Sequence, residues 1–447
     1  MNEIKQLEEM CAAVPPPDPQ LLARTRARVF TEVAERRAVP PRPERRRPRW
    51  VAPVGAAAAV AAVAVTVATV PGAIRGSGSA GGTAASAGGT GTDANARTAY
   101  AEILDGRTGL VPINTATNQP GKPIHIHGLS AAAVTPDGKT VYACAGDTVI
   151  PISTATNKAG RPIRFDGAVT DISMDPDGQT AYAQVKPRGS AAVLVPFRTA
   201  TNSPGTPVNV RIPGGDSADI VAFTPDGKTA YVAGSGTVTP ISTATNTSGR
   251  PINTGMQMPV QIVVAPDGQS VYVVGYPGDR STILPISTAS NTPRTPIRLP
   301  DGDGNLMAIA PDGKTAYVIG SGSRLNNAIV PINLTTNALG KAIPIRISSS
   351  DVLNDIVFTP DGKTAYVSGT TGGVVPVSTA TGTAGTPINV GPGPKSIAVT
   401  PDGQTLYAFN GQQVVPVSTA TNMAGTPIPI HGPVTAWDLL ISGGPAH

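Results

Sequence analysis

The sequence predicts an all-β fold of eight four-stranded repeats, and three recurring features support that prediction. The phrase Pro-Asp-Gly, followed by Lys or Gln and then by Thr or Ser, occurs seven times at intervals of 40 to 49 residues, beginning at Pro136. A tyrosine stands six residues after the proline of each copy, and Tyr100 adds an eighth tyrosine of this kind. A proline-led phrase, PISTATN in its fullest form, occurs eight times between Pro112 and Pro416. This period with four strands per repeat predicts an eight-bladed β-propeller.

Each phrase has a turn chemistry that separates two strands. In Thr-Pro-Asp-Gly the proline presets φ and the glycine takes the left-handed conformation that closes a tight turn. Short apolar runs lie on both sides, such as residues 220–223 and 230–232, and these predict strands. The PISTATN phrase predicts a second turn, because Thr and Asn side chains bond the local backbone and Asn tolerates positive φ. A third strand enters this turn and a fourth leaves it.

The two ends of the repeat region predict how the ring closes. No turn signal and no apolar strand precede Tyr100, so the first repeat lacks its first strand. At the other end, residues 435–442 have the pattern of an isolated first strand. The sequence therefore predicts a propeller over residues 98–443 whose N- and C-terminal strands pair in one shared blade. Residues 444–447 are expected to be a disordered tail.

The region before the repeats predicts a membrane anchor. Residues 1–49 form an expected cytoplasmic tail with two short helices and a basic run of seven arginines. Residues 50–70 follow as a transmembrane helix, since the twenty residues from Val51 to Val70 carry no charge and match a hydrocarbon core of about 30 Å. The arginines before this span place the N-terminus inside and the propeller outside. A cleaved segment remains the alternative. Residues 71–97 are rich in Gly, Ser, Ala and Thr, which predicts a flexible linker.

The repeats resemble the YVTN family of β-propeller proteins. The resemblance is carried by Pro-Asp-Gly, by pairs such as Tyr231-Val232 and Tyr366-Val367, and by the Ser-Thr-Ala-Thr-Asn turn. The sequence departs from the family pattern where Ser242 stands in place of the aspartate that usually precedes Thr-Ala-Thr-Asn. The resemblance implies an extracytoplasmic, often surface-associated propeller with no uniform activity.

The N-terminal tail has a resemblance of its own. The stretch AAVPPPDPQLLARTRARVF is similar to the cytoplasmic start of a group of actinobacterial membrane-anchored proteins, some of them related to anti-sigma factors. The resemblance implies a contact with a regulator inside the cell as one alternative function.

Charge and cysteine content exclude a nucleic-acid-binding protein and a fold held by a disulfide framework. The formal net charge is +5, but residues 1–50 hold eleven Lys/Arg and seven Asp/Glu. The propeller is therefore nearly neutral as a whole, and we expect no nucleic-acid partner, since phosphate binding needs clustered positive charge. Two cysteines on opposite sides of a membrane cannot form a disulfide framework.

The candidate site is a ring of aspartates at the channel mouth. The connections opposite the two turns vary in length between repeats, and such loops on a rigid scaffold are where binding usually occurs. Four aspartates open first strands and should line the channel there, as a cation or polar-ligand site: Asp171, Asp219, Asp355 and Asp438.

Other metal-binding patterns are weaker, and the sequence predicts no metal and no cofactor. Asp301, Asp303 and Asn305 have a calcium-loop spacing, but Leu306 replaces the required glycine. Three histidines close to the ends of fourth strands are expected to be exposed: His125, His127 and His431. No nucleophile, zinc-protease or phosphate-loop motif occurs.

These observations favour a membrane-anchored binding or scaffold module at the cell surface. Its partner would be an unidentified protein or polysaccharide of the cell envelope, with the lipid bilayer contacted through residues 50–70. A lactonase-type propeller hydrolase that uses the channel-mouth acids and a metal is one alternative. A transmembrane regulator that acts through the cytoplasmic tail is the other.

Overall fold

The computed structural model describes most of the chain from Thr98 onward. The described residues are 98–103, 109–208, 210, 220–234, 236–256, 258–277, 281–299, 303–321, 327–347, 352–370, 373–391, 393–394, 396–430 and 439–441. The expected tail, membrane helix, linker and C-terminal extension lie outside these residues. Within the described part of the chain, no helix has the length and hydropathy that crossing a bilayer requires.

The strands follow one another in the order that the repeats predict. Blades 1 to 4 contain β1 Thr98–Ile103, β2 Gly109–Asn114, β3 Gln119–Pro120, β4 Ile124–His125, β5 Leu129–Val134, β6 Thr140–Ala145, β7 Thr148–Ser153, β8 Lys158–Ala159, β9 Ile163–Arg164, β10 Ala168–Met174, β11 Thr180–Lys186, β12 Val193–Arg198, β13 Ser203–Pro204, β14 Ile220–Phe223, β15 Thr229–Gly234, β16 Thr237–Ser242, β17 Thr247–Ser248 and β18 Ile252–Asn253.

Blades 5 to 8 repeat the same plan, and the last strand returns to blade 1. They contain β19 Met258–Val264, β20 Ser270–Tyr276, β21 Thr282–Ser287, β22 Thr292–Pro293, β23 Ile297–Arg298, β24 Asp303–Ile309, β25 Thr315–Ser321, β26 Ala328–Asn333, β27 Ala338–Leu339, β28 Ile343–Pro344, β29 Leu353–Phe358, β30 Thr364–Gly369, β31 Gly373–Ser378, β32 Thr383–Ala384, β33 Ser396–Val399, β34 Thr405–Phe409, β35 Gln413–Ser418, β36 Met423–Ala424, β37 Ile428–Pro429 and β38 Leu439–Ile441.

These strands form eight antiparallel sheets, one for each blade, which confirms the predicted eight-bladed propeller. Blade 1 has the order β3-β2-β1-β38, so the chain's last described strand supplies the innermost position of its first blade. In this pair Tyr100 lies opposite Leu440, and Ala99 and Ala101 lie opposite Ile441 and Leu439. The predicted closure by the two ends of the repeat region is therefore confirmed.

The hydrophobic core consists of the interfaces between blades. Among the described residues, eight clusters of buried apolar side chains occur, each drawn from two neighbouring blades. The cluster between blades 8 and 1, for example, packs Tyr407 and Phe409 against Ala99 and Ile113. Second strands such as β6 and β15 are buried over nearly their whole length, because both of their faces pack against another blade.

The recurring proline of the third strand is explained by a break in the outermost strand. Each of these prolines lies opposite the repeat tyrosine, as Pro151 lies opposite Tyr142. In blade 2 the outer strand is split into β8 and β9, and the break falls beside Pro151. The Pro151 carbonyl accepts the N–H of Gly160 at 2.7 Å across this break. An N–H at this position would point toward the outer strand, which is interrupted here. Proline, which has no N–H, therefore removes no hydrogen bond from the sheet.

Candidate functional site

The Pro-Asp-Gly turn is held by hydrogen bonds between its own residues. In blade 4, Thr224 Oγ1 donates to Asp226 Oδ1 at 2.7 Å, and the Lys228 N–H donates to the same oxygen at 3.1 Å. Gly227 closes the turn at φ +67°. The Thr224 hydroxyl lowers the pKa of Asp226 below its usual value, and the Lys228 N–H adds to this against an opposing effect of burial. Through Oδ1, this aspartate stabilises the turn.

In blades 2 to 8 the second turn is bonded to the first, so both lie on one face of the disc as predicted. Thr154 Oγ1 donates to the Gly138 carbonyl at 2.7 Å, and the Thr154 N–H donates to the Lys139 carbonyl at 3.0 Å. The same hydroxyl bond recurs in other blades, for example from Thr243 to Gly227 and from Thr379 to Gly362. We call this side of the disc the turn face.

A third set of bonds joins neighbouring blades at the turn face, at six of the eight junctions. The Tyr142 hydroxyl of blade 2 donates to Asn202 Oδ1 of blade 3 at 2.8 Å. Asn202 has φ +52°, a conformation that asparagine tolerates better than most residues. Burial raises the pKa of Tyr142 to about 12, with a smaller contribution from the Asp137 carboxylate, so the hydroxyl remains a donor at physiological pH. We call this tyrosine–asparagine bond the clasp.

Asp171 and Asp355 lie in innermost strands, as the sequence predicts. Asp171 is in β10 and Asp355 is in β29, both half-buried and both directly after a β-bulge. These strands belong to blades 3 and 7, which are opposite each other in a ring of eight. The structure therefore does not bring the two carboxylates together. Asp219 and Asp438 lie outside the described residues.

Asp171 and Asp355 both accept hydrogen bonds from the backbone. Asp171 Oδ1 accepts the Ile172 N–H at 2.8 Å, and Asp355 Oδ1 accepts the Ile356 N–H at 2.7 Å. The second oxygen of Asp355 accepts the Ile397 N–H of blade 8 at 3.2 Å. Asp355 thus ties its own bulge to the next blade. A ligand at the channel mouth would have to compete with these backbone donors.

Gln261 occupies the same repeat position in blade 5 and was missed at the sequence level. It is fully buried, and its Oε1 accepts the Met307 N–H of blade 6 at 2.7 Å. Its Nε2 has no hydrogen-bond partner among the described residues. The sequence signal is its distance of five residues before the Pro-Asp-Gly proline, which Asp171 and Asp355 share.

A second set of buried polar residues lies two positions after the repeat tyrosine. Glu102, Gln184 and Ser368 stand there in blades 1, 3 and 7 and are almost completely buried, whereas blades 5 and 8 have Val274 and Phe409. The sequence signal for these residues is a polar side chain at a repeat position that is apolar in other blades.

Cys144 occupies this position in blade 2. It is fully buried and is part of the apolar core between blades 2 and 3. Burial raises its pKa well above the usual value, and the carboxylates of Asp171 and Glu102 raise it further. The thiol therefore stays protonated and has little nucleophilic character.

The weaker metal patterns do not form sites in the described part of the molecule. Asp303 and Asn305 belong to β24 and not to a calcium loop, and Asp312 accepts the Lys314 N–H at 2.9 Å within its own turn. His125 and His127 are exposed, and His431 lies outside the described residues. Among described side chains, no group of three or more His, Cys, Asp or Glu is placed to hold a metal ion.

Two grooves lie on the outer rim, each between neighbouring blades. One lies between blades 2 and 3, has a volume of about 760 Å³, and contains Lys158, Arg161 and Arg164 in its lining. The other lies between blades 8 and 1, has a volume of about 630 Å³, and has Met423, Thr426 and Pro429 at the same repeat positions. We call them the basic groove and the neutral groove.

Comparisons with known proteins support the fold and do not assign a family. No protein-family model matches the chain, and no curated protein matches it either. The resemblance to the YVTN repeats is thus not confirmed by a family match.

Many solved structures are similar in fold. The dihydro-heme d1 dehydrogenase NirN in complex with DHE has a TM-score of 0.62 at 14% identity, over 78% of this chain and 75% of NirN. A eukaryotic initiation factor has a TM-score of 0.54 at 12% identity, over 78% of this chain and 99% of that one. A functionally unknown protein from Desulfotomaculum acetoxidans has a TM-score of 0.51 at 15% identity, over 77% and 98%. At such low sequence identities, these similarities show the propeller fold alone.

Proposed function

We propose that this protein is a binding module of the cell envelope, anchored by residues 50–70, whose propeller recognises a protein or a polysaccharide. Recognition uses the face opposite the turn face, which we call the variable face. The proposal rests on the difference between the two faces. On the turn face, Thr, Asp, Tyr and Asn side chains are committed to turn bonds and clasps in nearly every blade.

On the variable face, the connections between strands differ from blade to blade. Blade 2 passes from β6 to β7 through two residues, Gly146 and Asp147. Blade 3 passes from β11 to β12 through residues 187–192, which present the exposed Arg188. Loops that differ on an otherwise uniform scaffold are suited to recognition, because changing them leaves the interfaces between blades intact.

The binding part of the proposal is tested with the full-length chain. One variant replaces residues 186–192 by Gly-Asp, the sequence that connects the same strands in blade 2. The matched control is Lys363→Ala on the turn face, where Lys363 is exposed. Binding to isolated envelope protein and polysaccharide fractions should fall in the loop variant and persist in the control. Equal binding by the parent chain, the loop variant and the control would contradict recognition by the variable face.

The anchoring part is tested with the two natural cysteines. Cys144 is fully buried, so a membrane-impermeant maleimide should not label it in the folded protein. Cys11 lies in the tail expected inside the cell, and it should be labelled only after permeabilisation. A cysteine introduced as Ser203→Cys, at an exposed position of β13, should be labelled on intact cells. Labelling of Cys11 on intact cells would overturn the proposed orientation.

A further inference from the structure

The basic groove is a preformed cleft whose walls are fixed to each other. Tyr142 lies in its lining, and the clasp from this residue to Asn202 joins blade 2 to blade 3 along the floor. The rings of Pro151, Pro162 and Pro204 contribute rigid apolar surface to the lining. The cleft therefore exists without a ligand and needs little ordering on binding, which lowers the entropic cost of association.

Positive charge is concentrated along this cleft. Lys158, Arg161 and Arg164 are all exposed. Arg164 is 3.7 Å from Asp147, in a pair whose side chains are 79% and 60% exposed and which solvent therefore weakens. Among the described residues, Lys158 and Arg161 take part in no ion pair. The groove thus has uncompensated positive charge available to an anion.

The rest of the lining offers hydroxyl and amide groups. Thr201 and Ser203 come from the second turn of blade 3, and Thr140 and Ser153 come from blade 2. The described lining contains no exposed aromatic side chain, because Tyr142 is only 2% exposed. Proteins that bind single-stranded nucleic acid rely on bases stacked on such side chains. Hydroxyl groups, proline rings and flanking cations fit a hydroxyl-rich chain that carries negative charges.

The neutral groove shows that the fold does not require these cations. It is formed by the same strands and turns of blades 8 and 1, and its clasp joins Tyr407 to Asn118. At the three repeat positions of the cations it has Met423, Thr426 and Pro429. Since the same backbone forms with neutral side chains, Lys158, Arg161 and Arg164 are not explained by packing.

Further cations extend the charge around the rim. Exposed basic side chains occur on or next to the outer strands of blades 1, 4, 5 and 6: Lys122, Arg250, Arg294, Arg298, Lys341 and Arg346. The described outer strands of blades 7 and 8 carry none. A convex arc of charge suits a flexible polymer that follows the rim, whereas a flat bilayer can contact only a small part of it.

We propose that the basic groove binds a segment of an acidic polysaccharide, a chain of sugars that carries carboxylate or phosphodiester groups. Arg161 and Lys158 bind its anionic groups, Arg164 contributes beside Asp147, and the hydroxyl and amide groups of the blade 3 turn bind sugar hydroxyls. This surface is on the rim, apart from the variable face, so it is a second site that does not depend on the proposed function.

The test uses the full-length chain in neutral detergent with polygalacturonate as the probe and dextran as the uncharged comparison. The removal variant is Lys158→Ala with Arg161→Ala and Arg164→Ala. The matched control is Met423→Ala with Thr426→Ala and Pro429→Ala in the neutral groove. The transfer variant is Met423→Lys with Thr426→Arg and Pro429→Arg. Circular dichroism and thermal melting serve to check that each variant keeps the fold, which surface substitutions usually do.

We expect the parent chain to bind polygalacturonate more tightly than dextran, with an affinity that falls as salt is added. The removal variant should lose about tenfold in affinity or more, the control should match the parent, and the transfer variant should gain at least about threefold. Equal affinity of parent and removal variant would overturn the proposal. So would equally tight, Lys158-dependent binding of single-stranded DNA or of phosphatidylglycerol vesicles, since that would indicate attraction to any polyanion.

Discussion

The Tyr407 hydroxyl donates to Asn118 Oδ1 at 2.5 Å and joins the eighth blade to the first, between residues that are 289 positions apart in the chain. The same clasp is made by five other pairs: Tyr100–Asn157, Tyr142–Asn202, Tyr182–Asn246, Tyr231–Asn291 and Tyr366–Asn422. The ring is therefore closed by strand pairing in blade 1, by apolar packing between blades 8 and 1, and by a side-chain bond at the turn face. The clasp at blade 8 differs from the others only in bridging the chain ends.

Removal of the closing hydroxyl should destabilise the propeller. The change Tyr407→Phe leaves the Asn118 amide oxygen without its donor in a partly buried place, and we expect a loss of about 0.5 to 1.5 kcal/mol in the free energy of unfolding. The matched control is Tyr317→Phe, because the second turn of the next blade, blade 7, has Gly382 in place of the asparagine. Thermal melting should distinguish the two variants. Equal melting temperatures would show that the clasp contributes nothing.

A clasp can be added between blades 6 and 7, where Gly382 stands in place of the asparagine. Gly382 has φ +62°, close to the +52° to +58° of the asparagines at the same repeat position, so Asn should adopt its backbone conformation. A Cβ built at Gly382 is 3.7 Å from Ile343 Cδ1, an ordinary contact. We expect Gly382→Asn to raise the stability by about 0.5 to 1 kcal/mol, through a new bond from Tyr317 and a less flexible unfolded chain.

A double-mutant cycle separates the contribution of the new hydrogen bond from that of the less flexible unfolded chain. In a chain that already carries Tyr317→Phe, the hydroxyl donor is absent, and Gly382→Asn should give only the part that comes from the unfolded chain. A gain of the same size in both backgrounds would show that the new clasp does not form.

The fold could be predicted because each repeat signal reports local backbone chemistry. The seven Pro-Asp-Gly turns, the eight tyrosines from Tyr100 onward and the lone strand near Leu440 together give the number of blades and the closing pair. The role of the third-strand proline could not be predicted, since it depends on the break in the neighbouring strand, where Gly160 bonds to Pro151.

The candidate site was predicted less completely, for a physical reason. The sequence places Asp171 and Asp355 in inner strands correctly, because their distance from the turn fixes the register. It does not show that Asp355 already accepts N–H groups from two blades. Such partners come from residues far away in the chain, and a repeat pattern does not report them. The basic groove could not be predicted from the sequence. Its three cations are recognised as a group only when the residues lining this groove are compared with those lining the groove between blades 8 and 1.

Asp175 should make stability depend on pH. It stands where most repeats have a threonine before Pro-Asp-Gly and is only 4% exposed. Burial, and then the Asp177 and Asp226 carboxylates, raise its pKa to about 6. Because the folded state binds this proton more tightly than the unfolded state, its contribution to stability is fully present below the ordinary carboxyl pKa near 4 and is lost as pH rises through about 6.

The change Asp175→Thr introduces the residue that caps four of the other six turns, and it removes the buried charge. In blade 2 the equivalent Thr135 donates to Asp137 Oδ1 at 2.7 Å. We expect a gain of about 1 to 2 kcal/mol at pH 7 and a smaller gain at pH 4, measured by chemical denaturation across this range. Asp175→Asn, which removes the charge without the capping hydroxyl, should give the same loss of pH dependence. A gain that does not change with pH would contradict the assignment to ionisation of Asp175.

Deletion of the last strand should open the ring. A chain that ends at Ala436 lacks β38, so β1 loses its inner partner along Ala99, Tyr100 and Ala101. An unpaired edge and exposed apolar surface then replace a buried contact in blade 1. We expect the melting temperature to fall by at least about 5 °C, which corresponds to a loss of a few kcal/mol for a domain of this size. The matched control ends at Ile441 and keeps β38 while losing the six residues after it, so it should melt like the full-length chain. If both truncated chains melted alike, pairing of the two chain ends would not hold the ring together. The apolar packing between blades 8 and 1 and the clasp from Tyr407 to Asn118 would then close it.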